Sequence, residues 1–473
     1  MKAFNHKYTT VLFIIFILFT TSCDFLELES ANDIDADTYF TKAAHAEDAL
    51  IGLYSAMQTP SYYGGNYLLV GEPLSGNSVT GGFDNINIDE FGFRAVTPSN
   101  IIVEEMWYGI YNVIANANRL IEGIEKIDDP AFDPDRKDEI EGQARAIRAM
   151  AHFDLLRFFG EHWDSGSVYG IPVINKVQEI GDVEPRATVA ESYTFIIDEL
   201  VAAMDLVNQN DRNPAFVNKA TVHALLARVY LYNKSYSDAI THANAVIGDA
   251  AFGLLNDAEY ASVFTSRQTT ESIFELAFDS QNRSRYNGLT YSRQEAFSTE
   301  VNFLADSLLN NFFLGRAGDV RETLVDFDPD NNPNVGLKLG RTQKYRGEVS
   351  EDNPAYIIRL AEMYLIYAEA NALKGTPDWN EALIGLNAVR EKRGLTALTL
   401  VDIPNVDAFK RFLLDEIRAE FNFEGHYYFD LARVEEIKPG GLLDLDAFRA
   451  ILPIPLRELI ATQGEVVQNP GYE

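Results

Sequence analysis

The stretch NKATVHALLARVYLYNKSYSDAITHANAVIG, residues 218–248, constrains the fold of this chain more than any other. Leu226, Ala227 and Tyr230 share one stripe of a first helix, and Ala239, Ala243 and Val246 line a second. Ser235 and Tyr236 fill the turn between them. Small residues at Ala227 and Ala239, twelve apart, let two antiparallel helices approach closely. A second pair, IIRLAEMYLIYAEANALKGTPDWNEALIGLNAVREKRG (357–394), repeats the pattern with a slightly longer turn. Such pairs commit a chain to stacked helices, because no pair can bury its apolar face alone.

Other segments keep the same period. AEDALIGLYSAM (46–57) puts Ala49, Leu50, Leu53, Tyr54 and Met57 on one stripe. Amphipathic runs follow at 101–124, at 138–160, which stops at Gly160, and at 191–207. The expected fold is therefore mostly all-α, a single domain over 46–473. Its tetratricopeptide-like helix pairs fall at about 101–160, 191–248 and 357–394. A few short strands, such as ESIFELAF (271–278), and one more helix near 300–313 complete it. Two regions lack the helical period: 59–98, rich in Gly, Asn, Ser, Pro and Tyr, and about 250–350. Both are expected to be long loop insertions, the places where a site tends to sit.

The chain opens MKAFNHKYTTVLFIIFILFTTSC. Lys2 and Lys7 form a basic start, and Val11 to Phe19 is an apolar run of signal-peptide length. Cys23, the only cysteine, sits where a bacterial lipoprotein signal is cleaved and lipidated. This predicts a signal peptide over 1–22 and a lipidated, acidic tether over 23–45. Lipidation uses up the only thiol, which leaves no disulfide, thiolate nucleophile or cysteine ligand. Membrane contact is expected through the lipid alone, since no later stretch is apolar enough to span.

Charge narrows the partners. With 71 acidic against 39 basic residues the net charge is -32, which repels phosphate backbones and argues against nucleic acid. A neutral ligand suits such a surface better than an anionic polymer. Catalytic signatures are missing: there is no HExxH, GxSxG, GxGxxG or Walker A pattern, and the seven histidines are scattered. DFDPDN (326–331) and DIDAD (33–37) alternate carboxylates but lack the Gly and Glu of a calcium loop. No metal and no cofactor is expected.

FEGHYYFDLAR (423–433) is the one dense polar constellation. Glu416, Glu420 and Glu424 are spaced by four along one helical face and repel unless cations meet them. Arg418 and Arg433 are near in sequence. One reading makes Glu424 or Asp430 an acid/base partner of His426. The other is a partly buried ion network that docks the last helix on the scaffold. The aromatic density of Phe421, Phe423, Tyr427, Tyr428 and Phe429 favours the second.

These residues carry a resemblance. Cys23 followed by DFLEL, WYGIYNVIANANRLI from Trp107, GQARAIRAMAHFDLLRFFG, IIRLAEMYLIYAEA with LNAVREKRG, EFNFEGHYYFDLAR and ILPIPLRELIATQGEVVQNPGY stand in order over nearly the whole chain. Together they resemble the SusD/RagB family of outer-membrane nutrient-binding lipoproteins. The family's usual arginines after the first Glu and after Gly-His are replaced by Ile417 and Tyr427, so a thinner ion network is expected. The resemblance implies a lipid anchor facing outwards, a SusC-like TonB-dependent transporter as partner, and capture of oligosaccharide or another nutrient without chemistry.

A glycan site needs exposed aromatic faces beside polar side chains. Tyr62, Tyr63, Asn66 and Tyr67 in one loop region, Arg283, Tyr286, Asn287 and Tyr291 in another, and Trp163 meet that requirement. Trp107 and Trp379 read as core. Two rivals stand beside the binding function: a lipid-anchored glycan hydrolase, and a helical scaffold that binds a peptide and no small ligand.

Overall fold

The computed structural model describes residues 39–80, 86–208, 212–284, 303–326, 340–345 and 352–472. Helices α1 (Ala43–Met57), α2 (Asn66–Ser75), α3 (Ile86–Gly92), α4 (Ile101–Glu125), α5 (Pro134–Phe159), α6 (Val189–Leu206), α7 (Lys219–Tyr232) and α8 (Tyr236–Ile247) come first. Then follow α9 (Ser262–Thr265), α10 (Ser307–Leu314), α11 (Leu360–Leu373), α12 (Trp379–Lys392), α13 (Val406–Phe421), α14 (Tyr427–Arg433) and α15 (Leu456–Ala461). Short antiparallel strand pairs interrupt them: β1 (Ser78–Thr80) with β3 (Phe303–Ala305), β2 (Ser272–Leu276) with β6 (Ala355–Arg359), and β4 (Val325–Asp326) with β5 (Arg341–Thr342).

The helices start where side chains can cap them. Asn100 accepts from the amides of Ile102 and Val103, and Asp378 from that of Glu381. Thr188 and Glu191 form a reciprocal capping box, and Pro134 opens α5 behind Asp133. Each cap is worth about 1 kcal/mol. One face of α4 then buries Met106, Trp107, Ile110, Val113, Ile114, Leu120 and Ile124, and the Trp107 ring meets Phe159 edge-on at 4.9 Å. Ala227 and Ala239 are both fully buried where α7 and α8 pair. In the α11–α12 pair Gly385 has the same role: a Cβ there would come within 2.7 Å of the Tyr364 carbonyl. The fold is mostly helical with tetratricopeptide-like pairs, as the periodicity predicts.

Three expectations need correction. Region 59–98 is not one irregular loop, because α2, β1 and α3 lie within it. The α7–α8 turn is Asn233 to Ser235, with Lys234 at φ 60, and Tyr236 already begins α8. The helix expected near 300–313 is α10, Ser307–Leu314. Cys23, DIDAD and the DFDPDN residues after Asp326 lie outside the described residues. No described helix is long and apolar enough to cross a membrane.

Candidate ligand-binding surface

FEGHYYFDLAR is interior. On α13 and the turn after it, Glu416 and Glu420 are completely buried and Glu424 nearly so. Each meets cations. Glu416 accepts from Arg321 at 2.5 Å, Arg316 at 2.7 Å and Arg390 at 3.1 Å. Glu420 accepts from Arg359 at 2.8 Å and Arg393 at 2.9 Å, and Glu424 from Lys344 at 2.6 Å and Arg359 at 2.8 Å. Arg393 also grips Glu271 at 2.9 Å. Burial alone would raise the Glu420 carboxyl, but Arg393 and Arg359 overturn it and hold it well below the usual range. The three glutamates thus find cations from elsewhere in the chain. The sequence-near arginines do not serve it: Arg418 donates to Asn77 at 2.8 Å, and Arg433 pairs with Glu369 and Asp430.

His426 is part of this interior as well. Its Nδ1 lies 2.5 Å from Asp430 and its Nε2 3.5 Å from Glu362, and its ring stacks on Phe421 at 4.6 Å. Burial would lower its pKa, but Asp430 and Glu362 raise it to about 9. A charged imidazole clamped between two carboxylates holds the start of α14 in place.

Tyr62, Tyr63 and Tyr67 are buried, not surface platforms. The Tyr62 and Tyr63 hydroxyls donate to one oxygen of Asp154 at 2.5 and 2.6 Å. Arg157 pairs with the other oxygen and donates to the Tyr67 hydroxyl at 2.8 Å. The rings pack at a tilt, with Tyr63 4.3 Å from Tyr62 and 4.5 Å from Tyr67. Burial pushes the Tyr67 phenol to about 12. The physical reason is a buried Asp–Arg pair on α5 that needs these hydroxyls to complete its hydrogen bonding. Asn66, half-buried at the start of α2, keeps an Nδ2 without a partner among the described residues. Trp163 is half-buried, and its carbonyl accepts from Lys234 in the α7–α8 turn at 2.8 Å. Arg283 is exposed at the foot of 285–302, the segment outside the described residues that contains Tyr286, Asn287 and Tyr291.

Ends of three such segments, 81–85, 285–302 and 327–339, are tied together. Thr80 pairs with Phe303, Ala305 with Gly340, and Asp326 with Arg341. The Asp306 amide donates to the Asn77 carbonyl at 2.9 Å. Asn282 donates to Gln58 at 2.5 Å, and Gln58 to the Ala277 carbonyl. The buried ion lattice anchors these stems from below. Arg321 precedes β4, Lys344 follows β5, Arg359 ends β6 and Glu271 precedes β2. Tyr345 donates to the Phe423 carbonyl at 2.8 Å, and Asn77 receives Arg418. Three of these segments therefore share one stem on the helical scaffold.

Beside that place stands an aromatic that sequence reasoning missed. Phe93, at the end of α3, is 79% exposed; among the described residues the only other exposed aromatic is Phe216, at 38%. Its neighbour Arg94 holds a left-handed backbone at φ 54 and reaches the β1 stem, where its guanidinium would lie 2.8 Å from a Cβ on Gly76. Buried Nε of Arg94 has no partner among the described residues. Strain and an open donor next to an exposed ring mark a functional position more often than a structural one. The readable signal was the FGFR run inside the Gly- and Asn-rich region.

Known proteins agree with this architecture. The family described as "Starch-binding associating with outer membrane" matches residues 24–231, and that described as "SusD family" matches 334–472. A SusD-like protein of Formosa agariphila is 25% identical, with 98% of this chain and 99% of that protein covered. A solved SusD superfamily structure from Bacteroides thetaiotaomicron superposes with TM-score 0.79 at 26% identity, covering 90% of this chain and 99% of that one. A solved putative sugar-binding protein from Bacteroides vulgatus gives 0.77 at 26% identity, covering 92% and 100%. With both family patterns in sequence order and relatives matched end to end, the chain belongs to the SusD/RagB family.

Proposed function

We propose that the protein is a lipoprotein of the outer membrane's outer face, anchored through Cys23, that binds oligosaccharide and delivers it uncut to a SusC-like TonB-dependent transporter. The observation that carries this reading is Phe93, an exposed ring beside the gathered insertion stems. A sugar's apolar face stacks on such a ring while its hydroxyls take polar partners at the edge. Arg283, with Tyr286, Asn287 and Tyr291 beyond it, extends the same surface in this proposal, and Trp163 stands as a separate contact. The sugar-binding description of the Bacteroides vulgatus relative supports a saccharide as ligand.

Titration calorimetry of the purified protein against a panel of soluble oligosaccharides, with product length checked by mass spectrometry, tests this. One saccharide class should bind saturably and come back intact. Phe93→Ala should weaken it about tenfold, the worth of a stacked ring, while leaving thermal stability unchanged because the ring packs on little. Shortened saccharide would make the protein a hydrolase, and full affinity in the variant would remove Phe93 from the site.

A further inference from the structure

A second cleft lies along α4, built differently from the Phe93 surface. It has two lobes of about 240 and about 210 Å³ that share Arg119. The first is walled by Tyr39, Phe40 and Leu120, with Asn116 at its edge. The second lies between Tyr111 and Ala115 of α4 and a wall from Ile174 to Gln178. That wall is fixed in advance. Tyr111 donates to the Pro172 carbonyl at 2.9 Å, Asn118 to that of Lys176 at 2.9 Å, and the Val177 amide donates to Glu122 at 2.6 Å. A preformed cleft loses little ordering entropy when it binds.

Its charge is what sets it apart. In a chain of net charge -32, the lining of both lobes contains no Asp or Glu. It contains two exposed cations, Arg119 and Lys176, and among the described residues neither pairs with a carboxylate. Glu122 stands at the edge, with Oε1 already taken by the Val177 amide. Elsewhere this protein pairs its arginines closely, so two open cations over apolar walls define a site for a carboxylate-bearing ligand. Lobes of this size, with an aromatic wall and amides at the rim, fit sugar rings.

We propose that this cleft binds an acidic saccharide, a short uronic-acid oligosaccharide whose carboxylates meet Arg119 and Lys176. The proposal is independent of the Phe93 surface, and the test separates them. The purified protein is titrated with trigalacturonate at low salt, and with its methyl ester, which has the same rings without charge. Trigalacturonate should bind saturably and the ester at least tenfold more weakly, with affinity falling as salt rises. Arg119→Glu and Lys176→Glu should each weaken binding about tenfold, the worth of one charge-assisted hydrogen bond. Both residues are exposed, so both variants fold, and Phe93→Ala should change nothing. Equal affinity for the ester, indifference to both reversals, or loss in Phe93→Ala overturns the proposal. So does binding that appears only once the acidic residues 24–38 are removed, since the cleft would then be a seat for the chain's own acidic tether.

Discussion

His426 shows how one residue's surroundings decide between catalysis and architecture. An imidazole between Asp430 and Glu362 has the partners of an acid/base group, yet it is mostly buried and its charge is held by those two carboxylates. Its pKa rises from 6.5 to about 9, so the folded state binds its proton more tightly than the unfolded chain does. That stabilisation is fully present below pH 6.5 and is lost as pH rises through about 9. Its size is on the order of 3 kcal/mol. Denaturant unfolding from pH 6 to 9.5 should show stability falling with pH across this window. In His426→Gln stability should be lower at pH 6 and the slope flattened; an unchanged slope would mean another group carries it. The sequence shows the partners, because Asp430 lies one helical turn away, but not the burial that fixes the charge.

Among the elements, α2 and the turn 423–427 depend on each other. Gly425 sits at φ 72, and a Cβ there would lie 3.1 Å from the Tyr67 ring. From the other side, a Cβ on Gly71 would lie 3.0 Å from the Gly425 Cα. Glu72 accepts the Gly425 amide at 2.8 Å, and burial raises its carboxyl despite that bond. Gly425→Ala should cost about 2 kcal/mol or more, from the left-handed backbone and the lost contact. Gly52 on α1, where a Cβ would meet nothing, is the control: Gly52→Ala should stabilise by about 0.5–1 kcal/mol. Thermal melts of the two variants should move in opposite directions. Helix pairs are legible in sequence because the apolar period, the small residues and the caps are local. The burial of Tyr62 and Tyr63 is not, because Gly- and Tyr-rich composition reads as loop surface and their acceptor, Asp154, lies about ninety residues on.

For the whole molecule, the lattice under α13 links fold to function. Its glutamates are readable at a spacing of four, but their cations are not, since partners such as Arg390 and Arg316 lie 26 to 100 residues away. Breaking one partner of a buried pair so that the other is left unpaired typically costs 3–5 kcal/mol, whereas replacing the whole pair by apolar side chains is often neutral, so the lattice's contribution is register more than stability. Lys344 tests this. Its ammonium holds Glu424 at 2.6 Å and the Glu420 carbonyl at 2.8 Å, while Glu424 keeps Arg359 regardless. Lys344→Met should leave the melting point within a few degrees but speed hydrogen exchange at 340–345. Saccharide binding at the Phe93 surface should weaken several-fold with it. Unchanged exchange and affinity would separate the lattice from the binding surface.

The paired stems have a consequence for how such a protein changes over time. The segment 327–339 is closed by the pairing of Asp326 with Arg341, and the start of 81–85 is tied to the end of 285–302 by that of Thr80 with Phe303, so neither tie depends on what lies between. Doubling the length of a loop closed in this way adds only about 0.6 kcal/mol. Whole insertions can then be exchanged like cassettes, in nature by recombination and in the laboratory by grafting. A new sequence between the stems leaves the frame beneath them as it was.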